Sequence, residues 1–81
     1  MRLRQLEYAI AVAEEASFTE AARTVRVSQP ALSHQVKALE EELGNALFER
    51  LPGEVLATGH GSRFLPHARA AAAAARAAAE A

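Results

Sequence analysis

The stretch from Ser28 to Gly44, SQPALSHQVKALEEELG, constrains the fold more than any other part of the chain. It reads as one helix with both ends marked. Ser28 is an N-cap whose hydroxyl can accept a bond from an unpaired N–H of the first turn. Pro30 falls in that turn, where a missing N–H costs nothing. Gly44 can take the left-handed conformation that closes a helix. Leu32, Val36, Leu39 and Leu43 recur at helical spacing and form a stripe for burial. Pro30, Ser33, His34 and Lys37 form a second stripe pointing elsewhere. One apolar face beside a small, donor-rich face suits a helix that enters a nucleic-acid groove. Taken alone, the same pattern also suits an ordinary surface helix of a small bundle.

The preceding segments decide between these. Leu3, Leu6, Ile10 and Ala13 share one face of a first helix over Leu3 to Glu15, and Tyr8 and Val12 lie on the other side. Two apolar faces require two packing partners. Ser17-Phe18-Thr19-Glu20 is an S-x-x-E capping box that opens a second helix, from Phe18 to about Val25. Its inward residues are Ala21, Ala22 and Val25, and the alanines allow close approach. Only Arg26 and Val27 separate it from the cap at Ser28. Helices joined so tightly cross steeply, as in a helix-turn-helix. In that motif the N-terminal residues of the second helix meet base edges in the major groove, and here those are Gln29, Pro30, Ser33 and His34.

After Gly44 the pattern changes. Asn45 to Arg50 reads as a short extended segment, Leu51-Pro52-Gly53-Glu54 carries turn residues, and Val55 to Ala57 reads as a returning strand. The alternatives are a small β-hairpin wing, packed through Leu47 and Phe48, and an irregular connection. Thr58 then caps an alanine-rich helix from Gly59 to Glu80, about 30 Å long at 1.5 Å per residue. Phe64, Leu65, Ala68, Ala72 and Ala75 share one side of it. This side is expected to pack on the Tyr8 and Val12 face and on a second chain, the alternative being a solvated spacer. The expected architecture is mainly α: a winged helix-turn-helix over residues 1–58, with a three-helix core and a hairpin wing, and a linker and dimerisation helix over 59–81.

Charge and composition narrow the function. Nine Lys and Arg stand against ten Asp and Glu, a net charge of −1, whereas a basic domain is the usual footprint of a nucleic-acid binder. The arrangement offsets the sum: Glu40, Glu41 and Glu42 cluster at the far end of the central helix, away from His34 and Lys37, and are expected to point away from DNA. The chain has no cysteine, which removes disulfides, thiolate nucleophiles and Cys-based zinc sites. Glu7, Glu14 and Glu15 interrupt the apolar start, so a secretory leader is not expected, nor is a membrane span in the arginine-interrupted tail. An enzyme finds no support. Ser33 and His34 are consecutive on a helix and point apart, and no third group orients them. His60 and His67 are seven apart without a carboxylate at ligand spacing, so neither metal nor cofactor is expected.

The full pattern resembles the N-terminal DNA-binding domain of LysR-type transcriptional regulators. The resemblance rests on Leu6, Phe18-Thr19-Glu20-Ala21-Ala22, Val27-Ser28-Gln29-Pro30-Ala31-Leu32-Ser33, Val36, Leu39-Glu40, Leu43-Gly44, Leu47-Phe48 and Arg50, with Thr58 and Gly61 at the next helix cap. It covers almost the whole chain. It implies a cytoplasmic bacterial homodimer, on the nucleoid when bound, that reads an imperfect inverted repeat in double-stranded DNA. It also implies an effector-sensing C-terminal domain not present in this sequence. Base contacts would fall to Gln29, Pro30, Ser33 and His34, with Ser28 and Lys37 nearby, and Arg50 would approach the phosphates at the wing base. Two departures stand out. His34 replaces the family's usual arginine and offers fewer donors. Pro52-Gly53-Glu54 replaces basic wing residues, and the acid would meet phosphate unfavourably. A dimerisation or adaptor module with weakened or lost DNA binding is the rival reading.

Overall fold

The computed structural model describes all 81 residues. The element order is α1 (Leu3–Glu15), α2 (Phe18–Thr24), α3 (Gln29–Leu43), β1 (Phe48–Leu51), β2 (Glu54–Ala57) and α4 (Gly59–Glu80). Local chemistry sets each boundary. Gln5 Oε1 accepts the N–H of Arg2 at 2.9 Å and opens α1, and Ala16, at φ 52°, closes it by donating to the carbonyl of Val12. Ser17 Oγ accepts the Glu20 N–H at 3.1 Å, Ser28 Oγ the Ala31 N–H at 3.2 Å, and Thr58 Oγ1 the Gly61 N–H at 3.0 Å. Three of the four helices thus begin on a hydroxyl that occupies an otherwise unpaired donor. Gly44, at φ 77°, ends α3 in the left-handed region.

The core joins α1, α2, α3, the base of the hairpin and the first half of α4. Val12, Leu32, Val36, Leu39 and Leu47 are its largest fully buried side chains, each contributing about 1.5–3 kcal/mol by leaving water. Leu6, Tyr8, Phe18, Phe48 and Leu65 belong to it too, with alanines from α1, α2 and α4 between them. Gln5 is the one buried polar residue. Its Nε2 donates to Gln35 Oε1 at 3.2 Å, so its amide is used at both ends and ties α1 to α3.

The extended segment differs in detail from the expected one. Strand β1 begins at Phe48 rather than Asn45, and Glu54 belongs to β2 rather than to the turn. The strands pair antiparallel, Phe48 opposite Ala57 and Leu51 opposite Glu54, leaving Pro52-Gly53 as the tip. Gly53 sits at φ 79°, the conformation such a tip requires. Helix α2 stops one residue short of expectation, because Val25 is already its C-cap. Arg26, at φ 61°, turns the chain toward α3.

The side of α4 expected to meet both the Tyr8 and Val12 face and a second chain packs, over its first half, within one chain. Tyr8, Val12, Leu65, Ala68 and Ala72 are all buried within a single chain, where α4 lies along α1. Val12 is wholly inaccessible, and the two alanines are 2% exposed. The small side chains of α4 bring it close to its own α1, so these five residues hold the linker to the core. Phe64 and Ala75 remain half-buried, and beyond Ala72 no residue of α4 is buried. The second half of α4 projects, and the molecule extends 43 × 25 × 19 Å.

Candidate nucleic-acid interface

The exposed side of α3 and the base of the hairpin enclose one open groove. Pro30, Ser33, His34 and Lys37 line it from α3, and Arg50 lines it from β1. The capping proline and the helical spacing put the four α3 residues on one side, opposite Leu32, Val36 and Leu39, which face the core. Phe18 and Phe48 form the floor. Their rings meet edge to face, with centroids 6.1 Å apart and planes at 84°, an arrangement aromatic pairs favour.

Ser33 is the junction of the polar contacts. Its Oγ accepts from Gln29 Nε2 at 2.8 Å and from Arg50 Nη2 at 3.1 Å. The Arg50 guanidinium carbon lies 3.6 Å from the centroid of the Phe18 ring, a cation–π contact. Gln29 itself faces an adjoining recess between the start of α2 and the hairpin, shared with Thr19, Arg50 and Glu54. Ser28 is not among the groove residues, and its hydroxyl oxygen is engaged as the cap of α3. Five of the seven residues assigned to DNA therefore share one groove, Gln29 joins it through Ser33, and Ser28 holds the helix start in place.

The acidic cluster splits into different roles. Glu40 lines the same groove rather than pointing away from it. Its carboxylate is turned onto backbone, accepting the Leu47 N–H at 2.7 Å and the Phe48 N–H at 3.3 Å. Glu42 accepts from the amino group of Met1 at 2.9 Å, and Glu41 is exposed. Sequence reasoning missed two participants, Phe18 as the platform beneath Arg50 and Glu40 as the acceptor at the start of β1. Both depend on pairing across elements that no local pattern announces. His60 and His67 border a separate recess at the start of α4, where His60 Nδ1 lies 3.2 Å from Arg63 Nη2.

Comparison with known proteins agrees with this fold. A sequence profile for bacterial regulatory helix-turn-helix proteins of the lysR family matches residues 3–62. The transcriptional regulator AlsR of Bacillus subtilis is 51% identical over 71 residues, covering 88% of this chain and 24% of that protein. The DNA-binding domain of CbnR, solved in complex with DNA, superposes with a TM-score of 0.93 at 40% identity, covering 99% of this chain and 92% of that one. The corresponding domain of BenM, bound to catB site 1 DNA, gives 0.94 at 41% identity over 99% of this chain and 90% of that one. The chain spans 21–24% of the length of the first curated relatives it matches. Those relatives are regulators rather than enzymes.

Proposed function

The chain belongs to the lysR family of bacterial regulatory helix-turn-helix proteins, and from that premise we propose that it is the DNA-reading domain of a transcriptional regulator. Helix α3 enters the major groove, with Gln29, Pro30, Ser33 and His34 toward the bases and Lys37 toward the backbone. Two copies, paired through the projecting part of α4, engage the halves of an imperfect inverted repeat. An effector acts only through a further domain of the whole regulator.

The observation that carries this reading is the convergence of Pro30, Ser33, His34, Lys37 and Arg50 on one groove. A surface helix of an ordinary bundle has no reason to hold its small, donor-bearing face clear of the core while a second element brings a guanidinium to it. These side chains have the chemistry that base reading needs. An amide can bond adenine, a hydroxyl can bond several base edges, and an apolar ring can meet a thymine methyl. With few cations on the groove, the phosphate-dependent part of the affinity is small and the salt dependence shallow.

The test is binding to a DNA fragment from upstream of the regulator's own gene, at two salt concentrations. Gln29→Ala and Ser33→Ala should each weaken specific binding by about 1–3 kcal/mol. Equal binding by the wild type and both variants would exclude base reading by α3 and favour an adaptor role.

A further inference from the structure

We propose that Arg50 is a positioning residue that fixes Ser33 as an obligate hydrogen-bond donor, so that α3 selects at that point a base edge that accepts. The inference rests on the groove-reading function above and goes beyond it by assigning a direction to one contact and a different role to an arginine expected at phosphate.

A serine hydroxyl carries one hydrogen and two lone pairs. Both lone pairs of Ser33 are taken, one by Gln29 Nε2 at 2.8 Å and the other by Arg50 Nη2 at 3.1 Å. The arginine has no acceptor, so this bond cannot reverse. The hydroxyl hydrogen is left over, and Ser33 donates to nothing within the chain. It is therefore available to whatever occupies the groove.

Arg50 is restrained as well. Its guanidinium lies over Phe18 at 3.6 Å, and that ring is braced by Phe48. Both rings are 8% exposed and belong to the core. A planar cation seated on an aromatic face while bonding along its edge is an arrangement lysine cannot reproduce. Strand β1 thus reaches across the groove and sets the hydrogen-bond polarity of a residue on α3.

An unrestrained serine pairs with donor or acceptor edges of bases. Held as a donor, Ser33 can meet N7 or O6 of guanine, N7 of adenine or O4 of thymine. It is mismatched with the N4 amino group of cytosine. Two donors on the same oxygen also polarise the remaining O–H and strengthen the bond it gives.

The experiment uses the whole chain and its selected DNA site. Loss of a single-base preference in Ser33→Ala identifies the base pair beneath Ser33. At that pair, base analogues delete either the acceptor (7-deazapurines, or a pyrimidinone in place of thymine) or the exocyclic amino group of its cytosine or adenine. The wild type should lose about tenfold in affinity when the acceptor is deleted and little when the amino group is deleted. Arg50→Met keeps an apolar stem over Phe18 but releases Ser33, and its ratio between the two deletions should fall toward one with the salt slope unchanged. The ratio is taken within each protein, so partial unfolding of a variant cancels, and the wild-type series stands without any variant. Specific wild-type binding that ignores acceptor deletion overturns the inference alone. So does an Arg50→Met protein that keeps the wild-type ratio and loses about one unit of salt slope, the mark of a phosphate contact. Absence of any sequence preference in the wild type overturns the groove-reading function and this inference with it.

Discussion

The carboxylate of Glu40 accepts the backbone N–H of Leu47 at 2.7 Å, and the same oxygen lies 3.3 Å from the N–H of Phe48. A side chain near the end of α3 therefore anchors the start of the hairpin. The Leu47 amide precedes β1 and the Phe48 amide opens it, and both belong to buried residues, so without Glu40 they would lose this partner away from water. Anchoring here also holds β1 at the distance from α3 that the Arg50–Ser33 bond needs.

Glu40→Ala should therefore destabilise the fold by about 1–3 kcal/mol, the cost of leaving buried donors unpaired. Glu40→Gln keeps an acceptor and should cost less. Urea denaturation at fixed protein concentration measures the difference, and faster amide exchange at Leu47 and Phe48 locates it. Equal stability of Glu40→Ala and wild type would show that the carboxylate is dispensable to the hairpin.

A second contact at Leu47 is steric. A Cβ built on Gly61 would lie 2.1 Å from the Leu47 carbonyl oxygen. That oxygen also accepts the Thr58 N–H at 2.9 Å, so it is not free to swing away. Alanine is the better helix former, yet Gly61→Ala should destabilise, by at least the roughly 1–3 kcal/mol typical of overpacking. A thermal melt decides the sign. Stabilisation would mean that α4 can slide away from the loop at little cost.

Gly61 shows where sequence reading stopped. The four helices were legible because each carries its own signals: the spacing of Leu3, Leu6, Ile10 and Ala13 in α1, the hydroxyl caps at Ser17, Ser28 and Thr58, the leucine and valine spacing of α3, the alanine content of α4. The groove face of α3 was legible for the same reason, since four residues at helical spacing share a side wherever the helix is placed. In the sequence Gly61 stands only as part of the cap of α4, because its tight contact is with a residue fourteen positions earlier. The roles of Glu40, Gln5 and Phe18 escaped likewise, each being settled by a partner on another element. The alanine stripe of α4 pointed to the Tyr8 and Val12 face of α1, where its first half packs, but small residues do not say how far along the helix one partner gives way to another.

The wing supplies a prediction about electrostatics. Glu54 is exposed at the start of β2, opposite Leu51 and beside the Pro52-Gly53 tip. A carboxylate there repels phosphate where a wing would lie along DNA. Glu54→Lys should tighten binding to any duplex and steepen the dependence of log K on log salt by up to about one unit. Its ranking of operator sequences should not change, because phosphate contacts carry no sequence information. Unchanged affinity and slope would place the wing tip clear of the DNA backbone.

Packing on α1 and pairing with a second copy can be separated along α4. Charging Leu65 would disrupt the core, since Leu65 is 7% exposed within one chain, and loss of pairing would then be indistinguishable from loss of fold. Ala75 is the better probe. It lies past the last buried residue of α4, is half-buried, and continues the Ala68 and Ala72 side of the helix. A projecting alanine-rich rod gains little alone, but paired with its copy the small side chains permit close packing. Ala75→Glu places a charge in that contact without touching the core. The variant should keep the circular dichroism of the wild type, sediment as a monomer at micromolar concentration, and bind a full inverted repeat far more weakly. Its affinity for a half-site should be nearly unchanged, because the loss is of effective concentration rather than of contacts to bases. An unchanged sedimentation coefficient would remove this stretch of α4 from the dimer contact.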